Sequence, residues 1–217
     1  MCQTVLDRIE QFMATRQWDH NQHYHRWILR NAPRSIRRAL DVGCGTGGLA
    51  RLLATRARRV EAIDSDGHVI EQAVRATPLG TPVHYRHESL MNVRGGYTLI
   101  TAVAVLHDLE LAPALRCLRA ALAPGGTLLV VGCYRAATTT DHLVDLAAVP
   151  ANMALGSIKS SASGPSPIPS MTAPTRPPTT TLPEVRAIAS IELPGVALRR
   201  ALFWRYLLRY DAPGHHS

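Results

Sequence analysis

The chain is almost without lysine: Lys159 is the only one, so nearly all of the formal net charge of +8 over 217 residues is carried by arginine. Those arginines are scattered, with an RxRR run at 56–59 and Arg-Arg pairs at 37 and 199, and no aromatic-interleaved basic stripe appears. A nucleic-acid partner is normally met by a continuous basic stripe, so this distribution argues against one. Cysteine is scarce as well. Cys2, Cys44, Cys117 and Cys133 have no metal-ligand spacing, and three of them fall in expected core elements or in a glycine loop, so free thiols are expected. No apolar run reaches the length of about eighteen residues that a membrane span needs. The opening stretch MCQTVLDRIEQF carries acids and lacks a signal peptide's apolar core. These absences lead us to expect a soluble, cytoplasmic protein, with no membrane partner, forming one domain over residues 1–217.

What the chain does have is organised around Leu40 to Gly48, LDVGCGTGG. An apolar lead-in from Ile36 to Val42 runs into Gly43, Gly45 and Gly47, and then into Leu49, Leu52 and Leu53 at helical spacing. That is strand, tight loop and helix. Glycines let such a loop take positive φ and let its backbone approach a ligand closely. The helix behind it offers free N–H groups to an anionic part of that ligand. Gly43, Gly45 and Gly48 also satisfy the dinucleotide pattern GxGxxG, whereas a phosphate-binding P-loop is excluded because no GK[ST] follows. Asp41, at the carboxyl end of the strand, would gain nothing from a phosphate and suits a cationic ligand.

The run DVGCGTG resembles motif I of the class I S-adenosylmethionine-dependent methyltransferases, whose cofactor carries an ammonium and a sulfonium and no phosphate. LAPGGTLLVV, residues 122–131, resembles the same family's helix, turn and fifth strand. The resemblance covers about residues 36–135 and 182–210, and it implies a doubly wound, mostly parallel seven-stranded α/β sheet ending in an antiparallel hairpin. The intervening elements fit. RVEAIDSD gives a second strand ending in Asp64, about twenty residues beyond the glycine loop, where a carboxylate can accept both ribose hydroxyls. Ser65 or Asp66 caps a helix to about Ala76, Val83 to His87 reads as a third strand, and YTLITAVAVLH from Tyr97 reads as an apolar fourth strand with His107 at its end. Where the family usually opens this strand with Phe-Asp, the chain has Tyr97-Thr98, away from the ligand edge. Leu111, Ala114, Leu115, Leu118 and Leu122 form an amphipathic helix closed by Pro124-Gly125-Gly126. Thr181 and Glu184 make a capping box, and Leu202, Trp204, Tyr206, Leu208 and Tyr210 share one face of a terminal hairpin.

What the resemblance implies for the site is a cofactor, S-adenosyl-L-methionine, held by Asp41, Gly43, Cys44, Gly45, Gly47, Asp64, Ser65, Glu88, Ser89 and Val103. Glu88 stands where the family's acid accepts from the adenine amino group. A nicotinamide reading is disfavoured by Asp41, Glu88 and the terminal hairpin. Residues 1–35 are expected to form a helical lid, with Tyr24 contacting the cofactor. His20, His23 and His25 cluster in this segment, but their spacing cannot face one way on a helix, so no metal is assigned. His107 has the unperturbed pKa suited to a base, and it equally suits a structural role. Asp141 to Leu155 is expected as an apolar wall on the substrate side, and Gly156 to Thr181, rich in Ser, Pro and Thr, as a mobile loop. With Trp18, Tyr24 and Trp27, that wall suits a small, partly apolar acceptor bearing a hydroxyl, amine or carboxyl. An RNA or protein acceptor, or a catalytically inactive cofactor-binding regulator, is the alternative.

Overall fold

The computed structural model describes residues 20–137, 177–202 and 204–214. Along the chain run α1 (His20–Asn31), β1 (Ile36–Val42), α2 (Gly48–Ala54), β2 (Ala57–Asp64), α3 (Gly67–Arg75), β3 (Val83–His87) and β4 (Tyr97–Val103). They are followed by α4 (Leu111–Ala121), β5 (Leu122–Cys133), α5 (Leu182–Glu192), β6 (Ala197–Ala201) and β7 (Arg205–Asp211). Short 3₁₀ turns at Leu90–Asn92 and Leu106–Asp108 flank β4. All seven strands join one sheet in the order β3-β2-β1-β4-β5-β7-β6, with β7 antiparallel to both of its neighbours and the other pairings parallel.

Alternation of side chains across this sheet makes two cores. Leu40, Val42, Ile100, Ala102, Leu128, Val130 and Leu208 face one layer, where they meet Leu115 and Leu118 of α4 and Val185 and Ala189 of α5. Ala39, Val60, Ala62, Leu99, Leu129, Val131 and Leu207 face the other, where they meet Tyr24 and Ile28 of α1 and Leu49 and Leu53 of α2. Strands covered on both faces read as continuous apolar runs, and Ala39 to Val42 and Leu99 to Ala102 do so, apart from Asp41 and Thr101. From β1 the chain winds outward to β2 and β3, then returns to β4 and winds the other way. The switch therefore lies between β1 and β4, and in open α/β sheets the crevice at such a point, beyond the carboxyl ends of the strands, takes the ligand.

Three expectations change. β4 ends at Val103, four residues before His107, because Ala104 turns into the left-handed region with φ 54°. The Pro124-Gly125-Gly126 turn is absorbed into β5, which follows α4 without a loop, and the register against β4 slips between the Tyr97–Leu122 and Leu99–Thr127 pairs. Gly126 is required there, since a Cβ would stand 2.7 Å from the Tyr97 carbonyl oxygen. Lastly, Leu202 and Trp204 belong to the exposed β6–β7 turn, and β7 buries Tyr206, Leu207, Leu208 and Tyr210 on both its faces because it is an interior strand. The turn has no glycine; Trp204 supplies the positive φ, 50°.

The capping box is present, with Glu184 Oε2 accepting from the Thr181 N–H at 2.7 Å, and Pro183 sits in the first turn of α5. Thr98 Oγ1 accepts from the Arg37 and Arg38 N–H groups at 3.1 and 3.3 Å, tying the start of β4 to β1. Residues 1–19 of the expected helical lid, the Asp141 to Leu155 wall and residues 156–176 of the Ser/Pro/Thr-rich stretch lie outside the described residues.

Gly132 faces Tyr206 across the β5–β7 ladder, and the Tyr206 ring occupies the place of a Cβ. Gly132→Ala must displace a fully buried ring, so we expect a loss of roughly 1–3 kcal/mol by overpacking. Urea unfolding checks this, and in the double variant with Tyr206→Leu the loss should be less than additive because the two residues touch.

Candidate active site

The glycine loop between β1 and α2 is held from three sides. Gly43, Gly45 and Gly47 take φ of 65°, 53° and 78°. A Cβ on Gly43 would stand 2.6 Å from Val105 Cγ2, and the Tyr85 ring and hydroxyl of β3 fill the corresponding place at Gly47. Tyr85 is itself fixed by a 2.9 Å hydrogen bond to Thr77 Oγ1, which donates to the Ala73 carbonyl of α3 at 2.7 Å. Arg51 of α2 donates to the Thr46 carbonyl at 2.8 Å. The Cys44 N–H donates to the Ile63 carbonyl at 3.0 Å, and burial, followed by the nearby charges of Asp41 and Asp64, pushes its thiol well up. His25 of α1 reaches to within 3.9 Å of a Cβ built on Gly48, so α1 overhangs the loop.

Two carboxylates flank this loop in different states. Asp64, half-exposed at the end of β2, accepts from the Gly45 N–H at 2.9 Å through Oδ2 and from the Asp66 N–H at 3.0 Å through Oδ1. Each oxygen thus accepts one backbone N–H and retains capacity for a second bond. Asp41 is 1% exposed; its Oδ1 accepts from Thr101 Oγ1 at 2.8 Å, and its Oδ2 has no partner. Burial pushes Asp41 up to about 7, against a smaller lowering by the Thr101 hydrogen bond and a further rise from Asp64.

Beyond β3, the Glu88 N–H donates to the Asp64 carbonyl at 3.0 Å, which fixes this residue beside the end of β2. Its carboxylate pairs with Arg86 at 3.1 Å. Ser89 caps the following 3₁₀ turn through its Oγ, while Ser65 is exposed and its carbonyl contacts His87 Nε2 at 3.0 Å. Asp66, rather than Ser65, is the N-cap of α3. Val103, half-buried, ends β4 opposite Val131.

A third group stands at the ends of β4, β5 and β7. His107 lies on the 3₁₀ turn with its side chain 6% exposed, its Nε2 3.7 Å from Asp108 Oδ2 and its Nδ1 unpartnered. Burial lowers its pKa, Asp108 opposes this, and Arg205 lowers it again, leaving the imidazole below its ordinary value and neutral at pH 7. Tyr24, expected over the cofactor, is buried and donates its hydroxyl to the Leu202 carbonyl at 2.9 Å, within range of the charge of Arg205. The residue that sequence reasoning missed is Arg205. It opens β7 opposite Cys133 and donates to that sulfur at 3.1 Å. Among the described residues, no group of three or more His, Cys, Asp or Glu side chains gathers as metal ligands do.

A glycine loop at a β1/β4 switch point, with acids at the ends of β1, β2 and β3 and a seven-stranded sheet closed by an antiparallel hairpin, defines a class I methyltransferase. Comparison with known proteins agrees. Residues 12–161 match the methyltransferase domain family. An uncharacterized methyltransferase of Mycobacterium tuberculosis is 33% identical over 203 residues, covering 90% of this chain and 98% of that protein. A ubiquinone biosynthesis O-methyltransferase of Methylocella silvestris is 40% identical over 106 residues, 46% of this chain and 41% of that protein. In fold, the N-methyltransferase NodS of Bradyrhizobium japonicum, crystallised with S-adenosyl-L-homocysteine, superposes with a TM-score of 0.60 at 17% identity, covering 91% of each chain. Magnesium protoporphyrin IX methyltransferase of Synechocystis superposes with a TM-score of 0.58 at 15% identity over 88% of this chain and 77% of that one. The chain belongs to the methyltransferase domain family, as one of its S-adenosylmethionine-dependent, class I members.

The buried Asp41 makes a signed prediction. Its folded pKa of about 7 stands above the free value of 3.8. The native protein therefore holds a proton that the unfolded chain has released, and the stability of the cofactor-free protein should fall as pH rises from about 4 to about 7, with a slope approaching 1.4 kcal/mol per unit. Asp41→Asn should flatten that part of the profile. Chemical denaturation of both proteins across the window checks it.

Proposed function

We propose that the enzyme methylates a small, partly apolar acceptor, and that the cofactor is held by the residues gathered at the β1/β4 edge. The observation that carries the cofactor assignment is the unpartnered Oδ2 of Asp41. A fully buried carboxylate oxygen without a donor is costly unless a bound group supplies one, and the cofactor's ammonium is of the right charge. Asp64 has a free lone pair on each oxygen for the ribose hydroxyls, while Glu88 and Ser89 are assigned to the adenine edge. Gly43, Cys44, Gly45 and Gly47 give backbone close enough to line the ligand. Val103 and Val105 of the β4 end bound the other wall. S-adenosylmethionine, when bound, supplies an electrophilic methyl already activated by its sulfonium.

With the electrophile activated, alignment is the chief task, worth up to roughly 7 to 11 kcal/mol in favourable cases. The braces behind the glycine loop and the fixed Asp64 carboxylate serve that end. His107, kept neutral by burial, is assigned to take a proton from an acceptor that arrives protonated.

Support for a small acceptor over a nucleic acid comes from where the arginines are spent. Arg38, Arg59 and Arg86 converge on Glu61, Arg116 pairs with Glu192, and Arg209 pairs with Asp211. Five arginines are thus committed to carboxylates of the fold, and the others are spread along the chain without a continuous basic stripe. The names of the relatives, which include methyltransferases of ubiquinone biosynthesis and of magnesium protoporphyrin IX, lean the same way.

Asp64→Ala should weaken binding of S-adenosylhomocysteine by on the order of 2 to 4 kcal/mol, because ribose hydroxyls lose their acceptors. Calorimetry measures it, and affinity within about threefold of wild type would overturn the assignment. Methyl transfer to the physiological acceptor should change little between about 50 and 200 mM salt, where a nucleic-acid substrate would lose tenfold or more.

A further inference from the structure

Among the described residues, four buried side-chain nitrogen or oxygen atoms have no hydrogen-bond partner: Asp41 Oδ2, Arg86 Nε, His107 Nδ1 and Arg205 Nε. Three of the four lie at the carboxyl edge of the central strands. Buried polar atoms are nearly always satisfied, so a concentration of exceptions at one edge marks places that bound groups complete. Asp41 is absorbed by the cofactor reading. His107 and Arg205 are not: His107 follows the carboxyl end of β4 and Arg205 opens β7, on the two sides of the carboxyl end of β5.

Arg205 is unusual among the partnered arginines. Its only hydrogen bond among the described residues is to Cys133 Sγ, a weak acceptor, and it forms no ion pair with any carboxylate there. The Cys133 thiol is pushed up by burial, against the lowering by Arg205, and so stays protonated rather than becoming a counter-ion. A guanidinium with a buried, idle Nε is a donor for a planar anion: Arg binds carboxylates through a fork of parallel N–H groups. β7 runs antiparallel to β5, which brings its first residue to the ligand edge opposite Cys133.

Building on the reading of this edge as the acceptor site, we propose that Arg205 is a specificity-determining residue that recognises a carboxylate on the acceptor. The carboxylate is the handle and a different atom of the acceptor is the nucleophile, because a guanidinium bound to a carboxylate draws electron density from its oxygens. The exposed Leu202 and Trp204 of the adjoining turn offer apolar surface to the remainder of the molecule.

The test uses full-length protein, labelled with nitrogen-15 in its arginines and saturated with S-adenosylhomocysteine. It is titrated with octanoate against octanamide and with benzoate against benzamide. The Arg205 Nε–H resonance, assigned by its disappearance in Arg205→Lys, should move with the acids, which should bind roughly tenfold or more tightly than the amides. Arg205→Gln should abolish that preference, Arg205→Lys should keep part of it, and both should bind S-adenosylhomocysteine within about twofold of wild type. An unmoved Arg205 resonance, amides binding as well as acids, or a preference that survives in Arg205→Gln would each overturn the proposal. Should Arg205→Gln not fold, the wild-type resonance and the acid–amide comparison decide alone. Failure of the wild-type protein to bind S-adenosylhomocysteine would sink the cofactor-site reading instead, and the same titration on the free protein would still judge Arg205.

Discussion

Everything at the ligand edge depends on a carboxylate buried in the middle of the sheet. Asp41 stands on β1, with Ala62 of β2 and Thr101 of β4 as its lateral neighbours, and the fold gives it a single hydroxyl. A charge in that position is expensive to keep ionised, and its pKa rises accordingly. The strands on either side cannot relax to solvate it, because both are covered by helices. In the free protein a proton meets that expense in part, and in the function proposed above the cofactor's ammonium takes its place at Oδ2, reached across the glycine loop two residues further on.

The glycine loop in turn is shaped by its neighbours more than by its own sequence. Glycine at 43 and 47 is required by Val105 and Tyr85, residues far away in the chain that occupy the space a side chain would fill. Tyr85 stands at the centre of a chain of contacts from Ala73 through Thr77 to the loop. Arg51 ties Thr46 to the helix that follows. Because a near-attack geometry tolerates little displacement, this bracing is what allows a loop of small residues to act as a rigid cradle.

The sequence made the parallel half of the fold legible because its signals are local. A glycine loop after β1 and an acid ending β2 each sit within a few residues of the element they define. β1, β3 and the capping box at Thr181 appear where they were expected. What escaped depends on pairing between distant segments. The end of β4 at Val103 is set by Ala104 taking a left-handed conformation that its residue type does not announce. The two-sided burial of β7 follows from its lying between β5 and β6, which no periodicity within 202–210 reveals. Arg205 was hidden for the same reason: an arginine opening a terminal strand looks like solvent-facing charge until the antiparallel register sets it against Cys133. Tyr24, expected over the cofactor from its place in the N-terminal segment, has its hydroxyl tied to the Leu202 carbonyl of the β6–β7 turn, a contact between distant segments that no local signal announces.

Asp41 gains its meaning from comparison with the other buried acid in the sheet. Glu61, on β2, is 3% exposed, hardly different in burial from Asp41. Yet it accepts from Arg38 at 2.8 Å and from the Tyr97 hydroxyl at 2.7 Å, with Arg86 3.2 Å away. Burial alone would raise its pKa; the Arg38 and Tyr97 hydrogen bonds and the charge of Arg86 outweigh that and leave it below the usual range. Residue type and burial are nearly the same in the two cases, and the sign of the shift is opposite. A chain that can gather three arginines and a tyrosine around one buried carboxylate has the means to neutralise another on the neighbouring strand, but around Asp41 it places one threonine. Glu61 is finished by the fold and so holds β1, β2, β3 and β4 together. Asp41 is left unfinished by it, at the point where the strand order reverses, and in the function proposed above the cofactor's ammonium completes it.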